Sequence, residues 1–191
     1  MPPTPSYTEN KRDLADATLS GLSATTYTGS DIEEKPVVKV DGVTLAEGTD
    51  YTLAWTDNQN AGTATVTVTG TGNYEGVLTG TYAIEPADIS MAMLGVDYGG
   101  SDGYLAYTGE ALEPFINVVW NGQGLWEAKS QSEETDCTVS YYNNVKPGIA
   151  TYVVTGVGNF KGTYTGTFQP RQDAGRGRGR ASRAGEREAL G

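Results

Sequence analysis

The stretch from Gly62 to Gly76, GTATVTVTGTGNYEG, returns as Gly148 to Gly162, GIATYVVTGVGNFKG, displaced by 86 residues. Ala64, Val66 and Val68 alternate with polar neighbours, as do Ala150, Tyr152 and Val154. Successive side chains of a strand point to opposite faces, so each set is expected to line the buried face of a half-buried strand. A glycine-rich corner carrying Tyr74 or Phe160 follows, and then a second strand-like run. A strand–corner–strand unit that recurs at a fixed offset implies a recurring domain. For a chain of 191 residues this means two small domains of about 75–85 residues each, enough for a modest core.

Other landmarks keep step. Tyr27-Thr28-Gly29 matches Tyr107-Thr108-Gly109 at an offset of 80, with Val38 on Val118, Val40 on Trp120 and Asp41-Gly42 on Asn121-Gly122. Six extra residues enter the loop from Trp126 to Glu134, and the offset becomes 86, placing Cys137 on Tyr51 and Asn159-Phe160 on Asn73-Tyr74. A glycine-rich insertion, Gly95 to Gly103, lengthens the approach to Tyr107. Both insertions fall where loops are expected, and loops accept added length at little cost.

Within the first unit, Leu14, Ala17, Leu19 and Leu22 suggest an opening strand, and Pro36 to Val40 a second. Asp41-Gly42 predicts a type I′ hairpin turn, whose two central residues need positive φ. Val43 to Leu45 returns antiparallel, and Tyr51, Leu53 and Trp55 alternate inward. The organising strand and Val77 to Ile84 close the unit at Glu85-Pro86. Sustained helical periodicity is absent. Short alternating runs separated by turn signals predict an all-β sandwich of six or seven strands per unit. The expected boundaries are a Pro-rich linker over 1–12, sandwiches over 13–86 and 87–170, and a disordered Gly/Arg-rich tail over 171–191, with a short linker and an end-to-end rod.

The pattern Tyr-Thr-Gly … Asp-Gly-Val-Thr-Leu … Glu-Gly-Thr-Asp-Tyr … Ala-Gly-Thr-Ala-Thr-Val-Thr-Val-Thr-Gly-Thr-Gly-Asn-Tyr-Glu-Gly resembles the immunoglobulin-like tandem repeats of large surface proteins of Gram-positive bacteria, both Firmicutes and Actinobacteria. The resemblance covers residues 13–170 and is stronger in the first unit. It implies two tandem immunoglobulin-like modules in a stalk or adhesin-like protein, with neighbouring repeats of a larger surface protein as partners. It carries no catalytic or metal residues. An extracellular or cell-surface location follows from it. Residues 1–12 have no apolar signal-peptide segment and no run of 18 apolar residues occurs, so export and anchoring signals are expected outside this chain. The pattern stops after Phe168. Six of the seven arginines then fall in 171–191, which reads as a non-native, out-of-frame end in preference to a disordered native tail or an RNA-binding arm.

Residues 1–170 carry 7 Lys+Arg against 21 Asp+Glu, a net charge of −14 that repels nucleic acid and anionic membranes. Neither nucleic acid nor membrane insertion is expected. Histidine is absent, which removes Ser-His-Asp and Cys-His mechanisms and the usual zinc sites. Cys137, the one cysteine, falls on an inward strand position and reads as a core thiol. Gly70 to Gly76 lacks the helix and the Lys-Ser/Thr pair of a phosphate loop. The pairs Glu33-Glu34 and Glu133-Glu134 point to opposite faces of an extended segment and do not converge on one atom. Asp57, Asn58 and Asn60 match no calcium loop. Lys39 alternates with Val38 and Val40, hence points outward, against a buried isopeptide bond. No enzyme, metal or cofactor is expected. The one hint of binding is aromatic: Trp126 opens the inserted loop and Tyr142 lies on the outward alternation, and both are candidate contacts for a glycan or host protein. A spacer is the first reading and such a binding module the second.

Overall fold

The computed structural model describes residues 10–99, 105–125 and 135–171. They form an all-β fold; the only helical elements among them are two single 3₁₀ turns. Of the tail expected over 171–191, Arg171 is described and pairs with Ala106, while residues 172–191 and the loop from Trp126 to Glu134 lie outside the described residues.

In the first half the strands are β1 (Arg12–Asp13), β2 (Thr18–Ser20), β3 (Thr25–Thr26), β4 (Val37–Val40), β5 (Val43–Thr44), β6 (Tyr51–Thr56), β7 (Gly62–Gly70), β8 (Tyr74–Glu75) and β9 (Val77–Glu85). One sheet runs β2-β4-β5 and the other β3-β9-β7-β6. Between them Val38, Val40, Leu45, Tyr51 and Val68 pack with Leu14, and Ala64, Tyr82 and Ile84 continue the apolar layer. This is the face-to-face packing of a sandwich, with alternate residues inward. Ala64, Val66 and Val68 are fully buried, as the alternation predicts. The count exceeds the expected six or seven because β1, β3, β5 and β8 are only two residues long.

The second half contains β10 (Ala87–Asp88), β11 (Met93–Asp97), β12 (Leu105–Ala106), β13 (Phe115–Trp120), β14 (Gln123–Gly124), β15 (Cys137–Tyr142), β16 (Ala150–Gly156), β17 (Phe160–Lys161), β18 (Thr163–Phe168) and β19 (Pro170–Arg171). Sheets β11-β13-β14 and β15-β16-β18 enclose Ile116, Val118, Trp120, Cys137, Tyr152, Val154 and Phe168. Cys137 is fully buried, as its strand position predicts. Here β18 and β19 are separate where β9 is continuous. Pro170 stands at the position of Ile84 and has no N–H, so the pair it forms with Gly148 keeps one bond, from Gly148 N–H to the Pro170 carbonyl at 3.4 Å.

Turn chemistry matches the sequence. Asp41 and Gly42 have φ of 48° and 81°, and Asn121 and Gly122 have 48° and 80°, the left-handed pair of a type I′ hairpin. The opening segment differs from expectation. Instead of one strand from Leu14, the Asp13 carboxylate accepts from the Ala15 N–H at 2.9 Å and caps a 3₁₀ turn over Leu14–Asp16, leaving a strand of three residues. Asp88 does the same to Ser90 at 2.9 Å. That hydrogen bond to the Ser90 N–H, with smaller help from the Lys161 charge, holds the Asp88 carboxyl below its ordinary value of 3.8. Gly76 and Gly162, with φ of 86° and 81°, pass directly over these two carboxylates, where a Cβ would strike the Asp13 or Asp88 oxygen.

Candidate functional site

Of the two aromatic candidates, Trp126 lies outside the described residues; Leu125, just before it, lines a cleft discussed below. Tyr142 ends β15, paired across to Thr151 of β16, and is 55% exposed. Its side chain is on the outer face, opposite Tyr141, whose hydroxyl donates to the Pro114 carbonyl. Two apolar residues of the following loop are also exposed, Val145 at 44% and Ile149 at 70%. At an offset of 86 the same three positions in the first half hold Thr56, Gln59 and Thr63. The end of the second half is therefore an apolar rim where the first half is polar.

The most constructed feature is the contact between the halves. The Tyr27 ring stacks on Trp120 with centroids 5.5 Å apart and planes 17° from parallel. Phe160 stands edge-on to both, 5.5 Å from Tyr27 and 5.2 Å from Trp120. Tyr27 is held by β3, whose parallel pairing to β9 ends with the Tyr27 N–H donating to the Glu85 carbonyl at 2.8 Å. Phe160 is held by β17, which pairs in parallel with β10 immediately after Pro86. An amide pair borders the aromatic cluster. The Asn159 Oδ1 accepts from the Ala61 N–H at 2.7 Å, and its Nδ2 donates to the Asn60 Oδ1 at 3.0 Å. Lys161 Nζ lies 3.6 Å from the Glu85 carboxylate. Beside these groups is a cleft of about 270 Å³ whose lining includes Gln59, Gln123, Leu125 and Asp136.

Asn60, named with Asp57 and Asn58 for its oxygen, is thus committed to Asn159. Asn58 donates to the Ile32 carbonyl at 3.2 Å and clamps a crossing segment. Among the described residues no group of three or more Cys, Asp or Glu is placed to hold a metal ion. Lys39 is exposed, as its alternation predicts. No helix of the described residues is long and apolar enough to cross a membrane.

Sequence reasoning singled out the motifs that contain Tyr27, Asn159 and Phe160 but not their meeting. Periodicity reports what each unit does internally; it carries no signal about contacts between units. One clue was available, the jump from Val40 to Trp120 at equivalent buried positions. Comparisons with protein-family models, with curated protein sequences and with solved structures return no match.

Proposed function

We propose that the chain is a structural spacer: two tandem immunoglobulin-like β-sandwich modules of a bacterial cell-surface or secreted adhesin-like protein, holding other parts of that protein at a distance, with no catalysis. The observation that carries the reading is the Tyr27–Trp120–Phe160 joint. A spacer must resist bending where its units meet, and a stacked aromatic cluster flanked by hydrogen-bonded amides supplies that resistance. The linker is a single Glu85-Pro86 step, and proline removes one backbone torsion. The neighbours of such a chain are further repeats of the same protein, and its location is extracellular.

Dyes on cysteines at positions 41 and 146, at the two far ends, would test this by single-molecule energy transfer. A spacer gives one narrow distance distribution that broadens in Tyr27→Ala. A broad distribution in the parent protein would sink the reading. The apolar rim at Tyr142, Val145 and Ile149 favours a second reading, a module that binds a glycan or host protein. Loss of such binding in Tyr142→Ala, with folding intact, is its test.

A further inference from the structure

The joint between the halves uses two different patches, one from each side, and a joint of that kind does not close on itself. The first half contributes its lower end and the second half its upper end. Each outer end can be compared with its counterpart inside the joint. The backbone at both is the same. Before the first half, Arg12 and Asp13 pair with Tyr74 and Glu75 just as Ala87 and Asp88 pair with Phe160 and Lys161. After the second half, Leu105 and Ala106 pair with Pro170 and Arg171 as Thr25 and Thr26 pair with Ile84 and Glu85. The Tyr107 N–H then donates to the Arg171 carbonyl at 2.8 Å, the counterpart of Tyr27 on Glu85.

The side chains differ, and they differ in matched pairs. Inside the joint, Gln59 and Gln123 line one cleft. Their counterparts at the outer ends are Val145 and Val43, 44% and 60% exposed. A polar pair has become an apolar pair on both sides at once. Lys161 faces Glu85 inside the joint; the counterparts are Glu75 and Arg171, the same attraction with the signs exchanged. Asn159 and Asn60 become Asn73 and Lys146, an oxygen acceptor and a donor. Tyr27 over Trp120 and Phe160 becomes Tyr107 over Val40 and Tyr74. One bond is not carried over, because Pro147 replaces Ala61 and has no N–H.

The geometry points to the two ends of this chain as the halves of a second joint, so that the lower end of one copy docks on the upper end of another, head to tail. The inference rests on the spacer reading and names its partner: a second copy of this chain, with Val145 on Val43, Lys146 on Asn73 and Arg171 on Glu75. The charge pair is exposed, so it sets polarity and register more than strength.

Full-length chains carrying Lys146→Cys are mixed with chains carrying Asn73→Cys and treated with a short bis-maleimide; Cys137 is fully buried and does not compete. Docking makes the mixed crosslink form about tenfold faster than with a Thr79→Cys partner, whose thiol lies on the outer face of β9, because docked thiols share a high effective concentration. Arg171→Glu in the first chain returns the rate to that control, and Glu75→Lys in the second restores it. A rate equal to the control, or indifference to both charge reversals, overturns the proposal. An Asn60→Cys/Asn159→Cys chain reads the internal joint in the same assay. If it crosslinks within the chain while the mixed pair does not, the head-to-tail inference falls and the spacer reading stands. If neither crosslinks, both fall.

Discussion

Tyr27 and Trp120 belong to opposite halves of the chain, and their rings stack 5.5 Å apart with planes 17° from parallel. Trp120 is buried in the core of its own half, so the joint is an extension of that core into the neighbouring one. Rings in this arrangement gain on the order of 1 kcal/mol beyond the area they bury. A double-mutant cycle with Tyr27→Leu and Trp120→Val, followed by denaturant unfolding, should return a coupling of about 1 kcal/mol. The second substitution installs the residue that the first half already uses at Val40. Strictly additive losses would mean that the two halves fold without reference to each other.

Gly166 and Tyr152 form a second linked pair, within the sheet β15-β16-β18. They are opposite each other in the ladder, and a Cβ on Gly166 would fall inside the Tyr152 ring, 2.7 Å from Cε1 and closer still to Cζ and the hydroxyl oxygen. The equivalent Gly80 lies under the methyl ends of Leu22 and Leu19, at 2.7 and 2.8 Å, and its ladder partner is Val66. Flexible leucine ends can swing away; a ring wedged against the sheet cannot. Gly166→Ala should therefore cost about 1–3 kcal/mol, the range for overpacking, and Gly80→Ala less. In a Tyr152→Val background, which copies Val66, the added cost of Gly166→Ala should largely disappear. Urea unfolding of the four variants checks both statements.

The sequence was most legible where local chemistry and burial agree. Alternation at Ala64, Val66 and Val68 gave a strand with its inner face right, and Asp-Gly and Asn-Gly gave both hairpins, because each of these signals lies within a few residues of its consequence. The opening strand was misplaced because Asp13 captures the Ala15 N–H, a competition between side chain and backbone that alternation does not register. The aromatic joint was hidden for a different reason. Tyr27 and Phe160 are 133 positions apart, and a contact between units leaves no mark on the period of either. Of the two candidate aromatics, Tyr142 was correctly read as outward-facing from strand parity alone.

Asn144 illustrates a buried polar group whose role follows from its bonds. It is 9% exposed; its Nδ2 donates to the Leu112 carbonyl at 3.1 Å, and its own carbonyl accepts from the Leu112 N–H at 3.0 Å. Asn58 and Ile32 make the same two contacts in the first half, at 3.2 and 2.8 Å. Truncation to alanine leaves the Leu112 carbonyl without this donor, so Asn144→Ala should lose about 1–3 kcal/mol in chemical denaturation. The backbone half of the clamp survives in the variant, so amide exchange at Leu112 should quicken without reaching the rate of an unprotected amide.

Alkaline pH should unfold the protein through three tyrosines. Burial is the main cause that raises the hydroxyls of Tyr51, Tyr82 and Tyr152 above their ordinary value of 10.0, and the charge of Glu47 adds to it at Tyr51. The Tyr82 hydroxyl also donates to the Ile32 carbonyl, a bond its ionised form cannot make. Each folded-state value lies above the unfolded one, so the stabilising contribution is whole below pH 10 and is lost as pH climbs through the folded-state values. The unfolded chain releases these protons first, and rising pH pulls the equilibrium toward it. In an ultraviolet titration Tyr51, Tyr82 and Tyr152 should form a late group that ionises together with the loss of β-sheet circular dichroism. Tyr82→Phe should remove one member of that late group and move the alkaline midpoint upward. If these three ionised ahead of unfolding, burial would not be what holds them neutral.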